Sequence, residues 1–165
     1  METISSDDLS RRIAEELARE YERIRQKVRG LVDGLTTEQL WQRPFPYGNS
    51  VGHLLLHLTG NLSYYIGAQI GASGYVRDRP REFSEDSGRP KDEVLKAFDR
   101  ALDLVVSTLA AQTAQDWGRA YEAVGAGDAP NRLAILIHCA AHADHHAGQM
   151  IYLCKQLALT ADPRP

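Results

Sequence analysis

Cysteine and aromatic side chains are scarce in this chain, and neither sign of charge dominates it. Only two cysteines occur in 165 residues, Cys139 and Cys154. Both fall in the last helical pattern, where their separation of roughly 22 Å excludes an intrachain disulfide. Reduced cysteines in a cytoplasmic protein are the expectation. Net charge is only −3, and 19 Lys and Arg residues are interspersed among 22 Asp and Glu residues. That balance supplies no basic surface for nucleic acid. No apolar run approaches the roughly 18 residues that suggest a membrane span. The start, Met1-Glu-Thr-Ile-Ser-Ser-Asp-Asp8, lacks the basic and apolar segments of a secretory signal. Strand-like alternation, internal repeats and low-complexity tracts are also missing. One domain over residues 1–165 is expected, with a hydrophobic content of 43% and a charged content of 25%, ordinary for a soluble protein.

Helical periodicity fills most of the chain. A first helix is expected from about Asp7 to Val32, capped by the Ser-Ser-Asp-Asp cluster, with Ile13, Leu17, Tyr21, Ile24, Val28 and Leu31 on one stripe. A helical turn near Leu35–Trp41 ends before Arg43-Pro-Phe-Pro46, which cannot continue a helix. Asn49-Ser50 caps a second helix from about Val51 to Ile70, with Val51, Leu55, Leu58, Leu62 and Ile66 buried. A third spans about Lys91 to Ala111, and a fourth runs from near Asn131 to about Leu159. Four amphipathic helices in one small domain make an all-α four-helix bundle. Its two long connections, at about 71–90 and 112–129, exceed the two to eight residues usual in up-down bundles. They are long enough to cross the bundle and give a non-sequential helix order.

The chemistry concentrates in histidine. Four of six lie in one helical stretch, as His138, His142, His145 and His146. His142 and His146 share a face with Cβ atoms roughly 6 Å apart, a spacing that grips one metal ion. His138 continues this ladder, but it lies about 12 Å along the axis from His146, too far to share the same ion. A third imidazole must come from another helix, where only His53 and His57 are available. His57 is the better placed, beside Leu54, Leu58 and Asn61; His53, one turn nearer the helix start, suits solvent or the rim. Three neutral imidazoles suit Zn²⁺, Ni²⁺, Fe²⁺ or Co²⁺ and leave coordination positions open. A bound water or thiol would ionise more readily there.

A histidine pair at this spacing also arises by chance on helices, and buried histidines often only pack. His145, turned about 100° from His146, reads as a surface or dimer-face residue. Asp144 is read mainly as solvated surface, although it could orient a ligand histidine. Asn61 and Gln149 are the candidates for lining a pocket beside the metal. Tyr64 and Tyr65 read as core and rim, and Trp41 and Trp117 as packing the connections onto the bundle. The sequon Asn61-Leu-Ser63 lies within helix and reads as a chance match.

The segments Asn49-Ser-Val-Gly-His-Leu-Leu-Leu-His57-Leu-Thr-Gly-Asn61 and His142-Ala-Asp-His-His146-Ala-Gly-Gln149 together resemble the DinB/YfiT-like superfamily of metal-binding four-helix bundles. Arg77-Asp-Arg-Pro-Arg-Glu-Phe83 looks like a loop of one uncharacterised branch. The resemblance implies an unusual helix order and a divalent metal held by His57, His142 and His146, with His53 and His145 outside the triad. It further implies a homodimer and a transferase or isomerase using bacillithiol, mycothiol or glutathione on a small-molecule substrate. Many relatives carry Arg directly after the last histidine, where this chain has Ala147. Three other readings remain: a non-catalytic metal-binding or stress-response protein with His53 as a fourth ligand, a hydrolase using metal-bound water, and a metal-free bundle whose histidines form rim and core contacts and whose main property is dimerisation.

Overall fold

A computed structural model describes residues 4–86, 88–127 and 129–161. Of the domain expected over 1–165, residues 1–3, 87, 128 and 162–165 lie outside the described set. The described residues are helical and form no strand, only one isolated bridge between Ala120 and Asn131. The helices are α1 (Ser6–Asp33), α2 (Thr37–Trp41), α3 (Val51–Leu62), α4 (Arg79–Ser84), α5 (Lys91–Ala110) and α6 (Arg132–Ala161). Local chemistry marks their starts. Ser5 accepts from the Asp8 backbone N–H at α1. Thr36 with Gln39 and Ser50 with His53 form reciprocal capping boxes at α2 and α3. The second long helix does not stay α-helical to its end. From Ser63 to Ala68 it widens into a π-helical segment, a form that recurs at functional sites.

The four long helices make a bundle in non-sequential order. α1 packs against α5 and α6, and α3 packs against the same two. α1 and α3, consecutive in the chain among the long helices, therefore sit on a diagonal. The crossovers at 71–90 and 112–129 allow this, and indole nitrogens pin them down. Trp41 Nε1 donates to the Arg89 carbonyl (2.9 Å) and Trp117 Nε1 to Ser10 Oγ (2.8 Å). Lys91 Nζ donates to the Asp33 and Leu35 carbonyls, closing the C-terminal end of α1.

α3 departs from the single buried stripe expected for it. Every residue from Val51 to Leu62 except Thr59 is buried. Two extra elements, α2 and α4, cover the side that would otherwise meet solvent. Gly52 permits the first of these approaches, since a Cβ there would lie 2.7 Å from the Trp41 ring. The first connection is also more ordered than an irregular loop, because Asp78 caps α4 and Pro80 occupies its first turn.

The core runs through Tyr21, Ile24, Val28, Leu55, Leu58, Leu62, Ile66, Phe98, Leu102 and Ile135. Tyr21 buries its ring and donates its hydroxyl to the Leu136 carbonyl (2.7 Å), tying α1 to α6. Ion pairs such as Arg25–Asp103 (2.7 Å) and Lys27–Asp144 (2.9 Å) line the α1 seams, where exposure keeps each contribution small. Leu58→Ala, at a position with 0% exposure, is expected to cost about 2–5 kcal/mol by urea unfolding. A loss below about 1 kcal/mol would show that the bundle centre collapses freely around the void.

Candidate metal centre

The diagonal order makes α3 and α6 neighbours, and this brings the distant histidines together. His57 Nε2 lies 3.3 Å from His142 Nε2, and His142 Nε2 lies 3.1 Å from His146 Nε2. The three ring nitrogens all fall within 4.8 Å of one another, a group that can hold a metal ion. Metal–nitrogen bonds of about 2.1 Å separate ligand nitrogens by about 3.0–3.4 Å. The donor set fits a divalent cation on chemical grounds as well. Each neutral imidazole has one lone-pair nitrogen, and with the proton on Nδ1 all three Nε2 atoms can turn theirs towards a cation placed between them.

The opposite edges of the rings are held unequally. His57 Nδ1 lies 2.8 Å from Glu82 Oε2, and Arg77 grips the same carboxylate through Nε to Oε1 (2.6 Å) and Nη2 to Oε2 (2.9 Å). His146 Nδ1 lies 2.7 Å from Gln149 Oε1. His142 Nδ1 is buried and has no hydrogen-bond partner among the described residues. Burial works to raise the Glu82 carboxyl, but hydrogen bonds from His57 and Arg77, with the Arg77 charge, hold it below the ordinary range. Burial, followed by the neighbouring imidazoles, lowers His142 to about 3. His146 is lowered too, first by burial.

A cavity of about 710 Å³ opens beside His57 and His142. Asn61, Tyr64, Tyr65, Tyr75, Val76, Arg77, Arg79, Val124, Gly125 and His138 complete its wall. Asn61 therefore does line a cavity, and its Oδ1 is buried without a hydrogen-bond partner among the described residues; its burial (6% exposed) also disposes of the sequon. The π-helical segment contributes Tyr64 and Tyr65. The Tyr65 hydroxyl donates to the Val124 carbonyl (3.2 Å), which fastens the second crossover to the rim.

Several expectations change once the chain is folded. His53 is not a rim residue: it is 3% exposed, because α2 and the end of the first crossover close over the start of α3. Nor does it join the triad, since Nδ1 faces Ser50 Oγ (2.6 Å) and Nε2 faces the Glu85 carbonyl (2.9 Å). Both nitrogens are already occupied. Gln149 does not line the large cavity. It lies on the other flank of His146, in a smaller cavity of about 280 Å³ with Phe45, Tyr47 and Tyr152, because the i, i+3 step turns it towards the far edge of that ring. His145 is exposed and meets Gln149 Nε2 at 3.2 Å. His138 stacks on His142 with ring centres 6.3 Å apart. Asp144 pairs with Lys27 and Arg23 rather than with a triad histidine. Cys139 is buried, which pushes its thiol up to about 12, and no described pair of cysteines forms a disulfide.

Sequence reasoning missed Glu82 and the role of Arg77. Among the charged residues of that connection nothing distinguishes Glu82, and only the folded crossover lays it against His57.

The arrangement defines a class of protein: an all-helical bundle with a three-histidine centre at the mouth of a cavity. The DinB superfamily profile matches residues 20–150, and the chain belongs to that superfamily of metal-binding proteins. Two solved structures share the fold. A conserved protein from Enterococcus faecalis superposes with a TM-score of 0.71 at 15% identity, covering 87% of this chain and 96% of its own. A DinB-like protein from Bacillus cereus gives 0.68 at 16% identity, covering 87% and 92%. Among curated proteins none matches. No helix among the described residues is long and apolar enough to cross a membrane.

Burial of the triad has a consequence for metal-free protein. An unfolded histidine titrates near the ordinary 6.5, whereas folded His142 waits until about 3. Between these values the unfolded chain binds protons that the folded chain refuses. The stability contribution is present above about pH 6.5 and is lost as pH falls towards the folded value. The melting temperature of chelator-treated protein should therefore drop from pH 7 to pH 5, and the drop should shrink in His142→Ala. Equal slopes in the two proteins would contradict this origin.

Proposed function

We propose that this protein binds one divalent metal ion (Zn²⁺, Ni²⁺ or Fe²⁺) through His57, His142 and His146. We read it as a metal-dependent transferase that joins a low-molecular-weight thiol to a small electrophile. The observation that carries the reading is the convergence of three Nε2 atoms, two of them from histidines that line a 710 Å³ cavity (His57 and His142), within the size range of small-molecule sites. When bound, such an ion supplies a Lewis-acid centre that favours the ionised form of a thiol.

The chain's own residues would do the rest. Tyr64, Tyr65 and Tyr75 give the cavity broad, largely apolar walls that exclude water from a bound substrate. No carboxylate among the described residues lines it, while Arg77 and Arg79 do. Arg77 is committed to Glu82, while Arg79 rests over the Phe83 ring, at 5.6 Å, and forms no ion pair among the described residues. Its guanidinium is placed to take the carboxylate of a thiol cofactor, in place of the arginine that Ala147 leaves absent. Asn61 offers an unpartnered carbonyl oxygen to a donor on the ligand. The occupation of both His53 nitrogens supports an open centre over a closed structural one. A homodimer belongs to the same reading; Ile137, Tyr152 and Leu159 are exposed apolar residues of α6 available for it. So does a cytoplasmic location, with both cysteines free.

Elemental analysis should give one divalent metal per chain, and Ala at His57, His142 or His146 should abolish it while circular dichroism stays helical. Full occupancy in all three variants would sink the metal reading. A screen of bacillithiol, mycothiol and glutathione against a fluorogenic electrophile, with metal restored, tests the transferase. Conjugation no faster than the protein-free control with all three thiols would remove that activity.

A further inference from the structure

The contact between Glu82 and His57 settles a question that the triad alone leaves open: which nitrogen of His57 carries the proton. Glu82 is 6% exposed. Its Oε2 lies 2.8 Å from His57 Nδ1, and both its oxygens accept from Arg77. Arg77 Nη2 also approaches His57 Nδ1, at 3.2 Å. These two neighbours make opposite demands, because Nδ1 can donate to the carboxylate or accept from the guanidinium, but not both. The carboxylate is an acceptor only, it is the nearer partner, and Nη2 already donates to Oε2. Nδ1 therefore bears the hydrogen, and the lone pair of His57 lies on Nε2, facing His142 and His146.

The backbone makes room for this arrangement. A Cβ at Gly60, one turn beyond His57, would overlap Glu82 Oε1 and sit 2.9 Å from its Cδ. Only a glycine there lets the α4 carboxylate lie flat on α3. The Phe83 ring, with its centre 5.0 Å from that of His57, closes the next side of the imidazole.

We infer that Glu82 is a positioning residue for the metal centre. Anchored by Arg77 and admitted by Gly60, it fixes His57 as the Nδ1–H tautomer and aims Nε2 at the ion. The first crossover thus supplies a working part of the site in addition to covering it. Outer partners of this kind set ligand basicity and orientation, and losing one typically costs 10–100-fold in metal affinity. The purpose of the device rests on the metal reading above, whereas the tautomer is a property of the metal-free chain.

Glu82→Gln tests it with almost no change in shape. A glutamine must point its NH₂ at an Arg77 N–H in either orientation. With NH₂ at the Oε2 position the amide donates to His57 Nδ1 and drives the proton to Nε2; with the amide oxygen there it still accepts from Nδ1–H, but as an uncharged and weaker acceptor. Two measurements are made on the full chain: the His57 tautomer in metal-free protein at pH 8, by long-range ¹H–¹⁵N imidazole correlation, and the Zn²⁺ affinity, by chelator competition. The expected result is an Nδ1–H wild type, a smaller Nδ1–H fraction in E82Q, where the charged acceptor is lost, and an affinity 10–100-fold weaker in E82Q. Gly60→Ala, which displaces the carboxylate without altering it, should weaken affinity in the same direction. If E82Q loses helical content, Arg77→Lys, which cannot hold both oxygens as the guanidinium does, is read in the same way. A wild type that carries the His57 proton on Nε2, or an E82Q affinity for Zn²⁺ within threefold of wild type, overturns the assignment. A wild-type chain that binds no Zn²⁺ sinks the metal reading and leaves the tautomer shift to decide this one.

Discussion

A carboxylate removed from water is tolerated only where other groups replace the water it has lost. Glu82 meets that condition through Arg77 on both oxygens and His57 on one. Much of the molecule is arranged around the constraint. The crossover must turn back to bring Arg77 and α4 onto α3, and α3 must offer a glycine at position 60 to receive them. Arg77, held on one side by Glu82, then lies over the Tyr65 ring at 5.6 Å and forms part of the cavity wall. One ion-pair network therefore connects the crossover, the histidine triad and the space where a substrate would lie.

The bundle order is the second determinant. In a simple up-down bundle the second long helix would neighbour the first, and nothing would compel it to face the fourth. Here the crossovers place α3 against both α5 and α6, so the inner faces of α3 and α6 meet and His57 reaches the His142–His146 pair. The same placement buries α3 on nearly all sides. That explains why its apolar residues fail to form the single stripe of a surface helix, and why His53 must satisfy both nitrogens inside the protein.

The triad histidines differ in what surrounds them. His57 is backed by an ion pair and His146 by a neutral amide, while His142 has a buried, unpartnered Nδ1 and the deepest electrostatic penalty against a proton. Imidazoles held neutral by burial, as His142 and His146 are, compete weakly for protons and present lone pairs to a cation. Gln149 lines the small cavity and Asn61 the large one, together with His57 and His142, which separates the two residues that looked equivalent by spacing.

Helical periodicity, capping residues and two long connections were enough to define the all-helical bundle, because those signals are local and α-helix geometry is invariant. The same geometry made His142 and His146 a chelating pair and excluded His138 from sharing their ion, since rise per residue does not depend on packing. What the chain could not announce depends on which surfaces meet. Glu82 looked like one more charge in a polar connection; its partner lies 25 residues away, and no periodicity links a loop to a helix across that distance. His53 and His57 share one helix and are both buried, so only the partners of their ring nitrogens separate a capping residue from a candidate ligand. Gln149 took its place from the rotation of α6 against its neighbours. Sequence determined the elements and the spacing of donors along each helix. Tertiary structure decided which donors converge, because hydrogen bonds and ion pairs between elements form only after the crossovers have set the helix order.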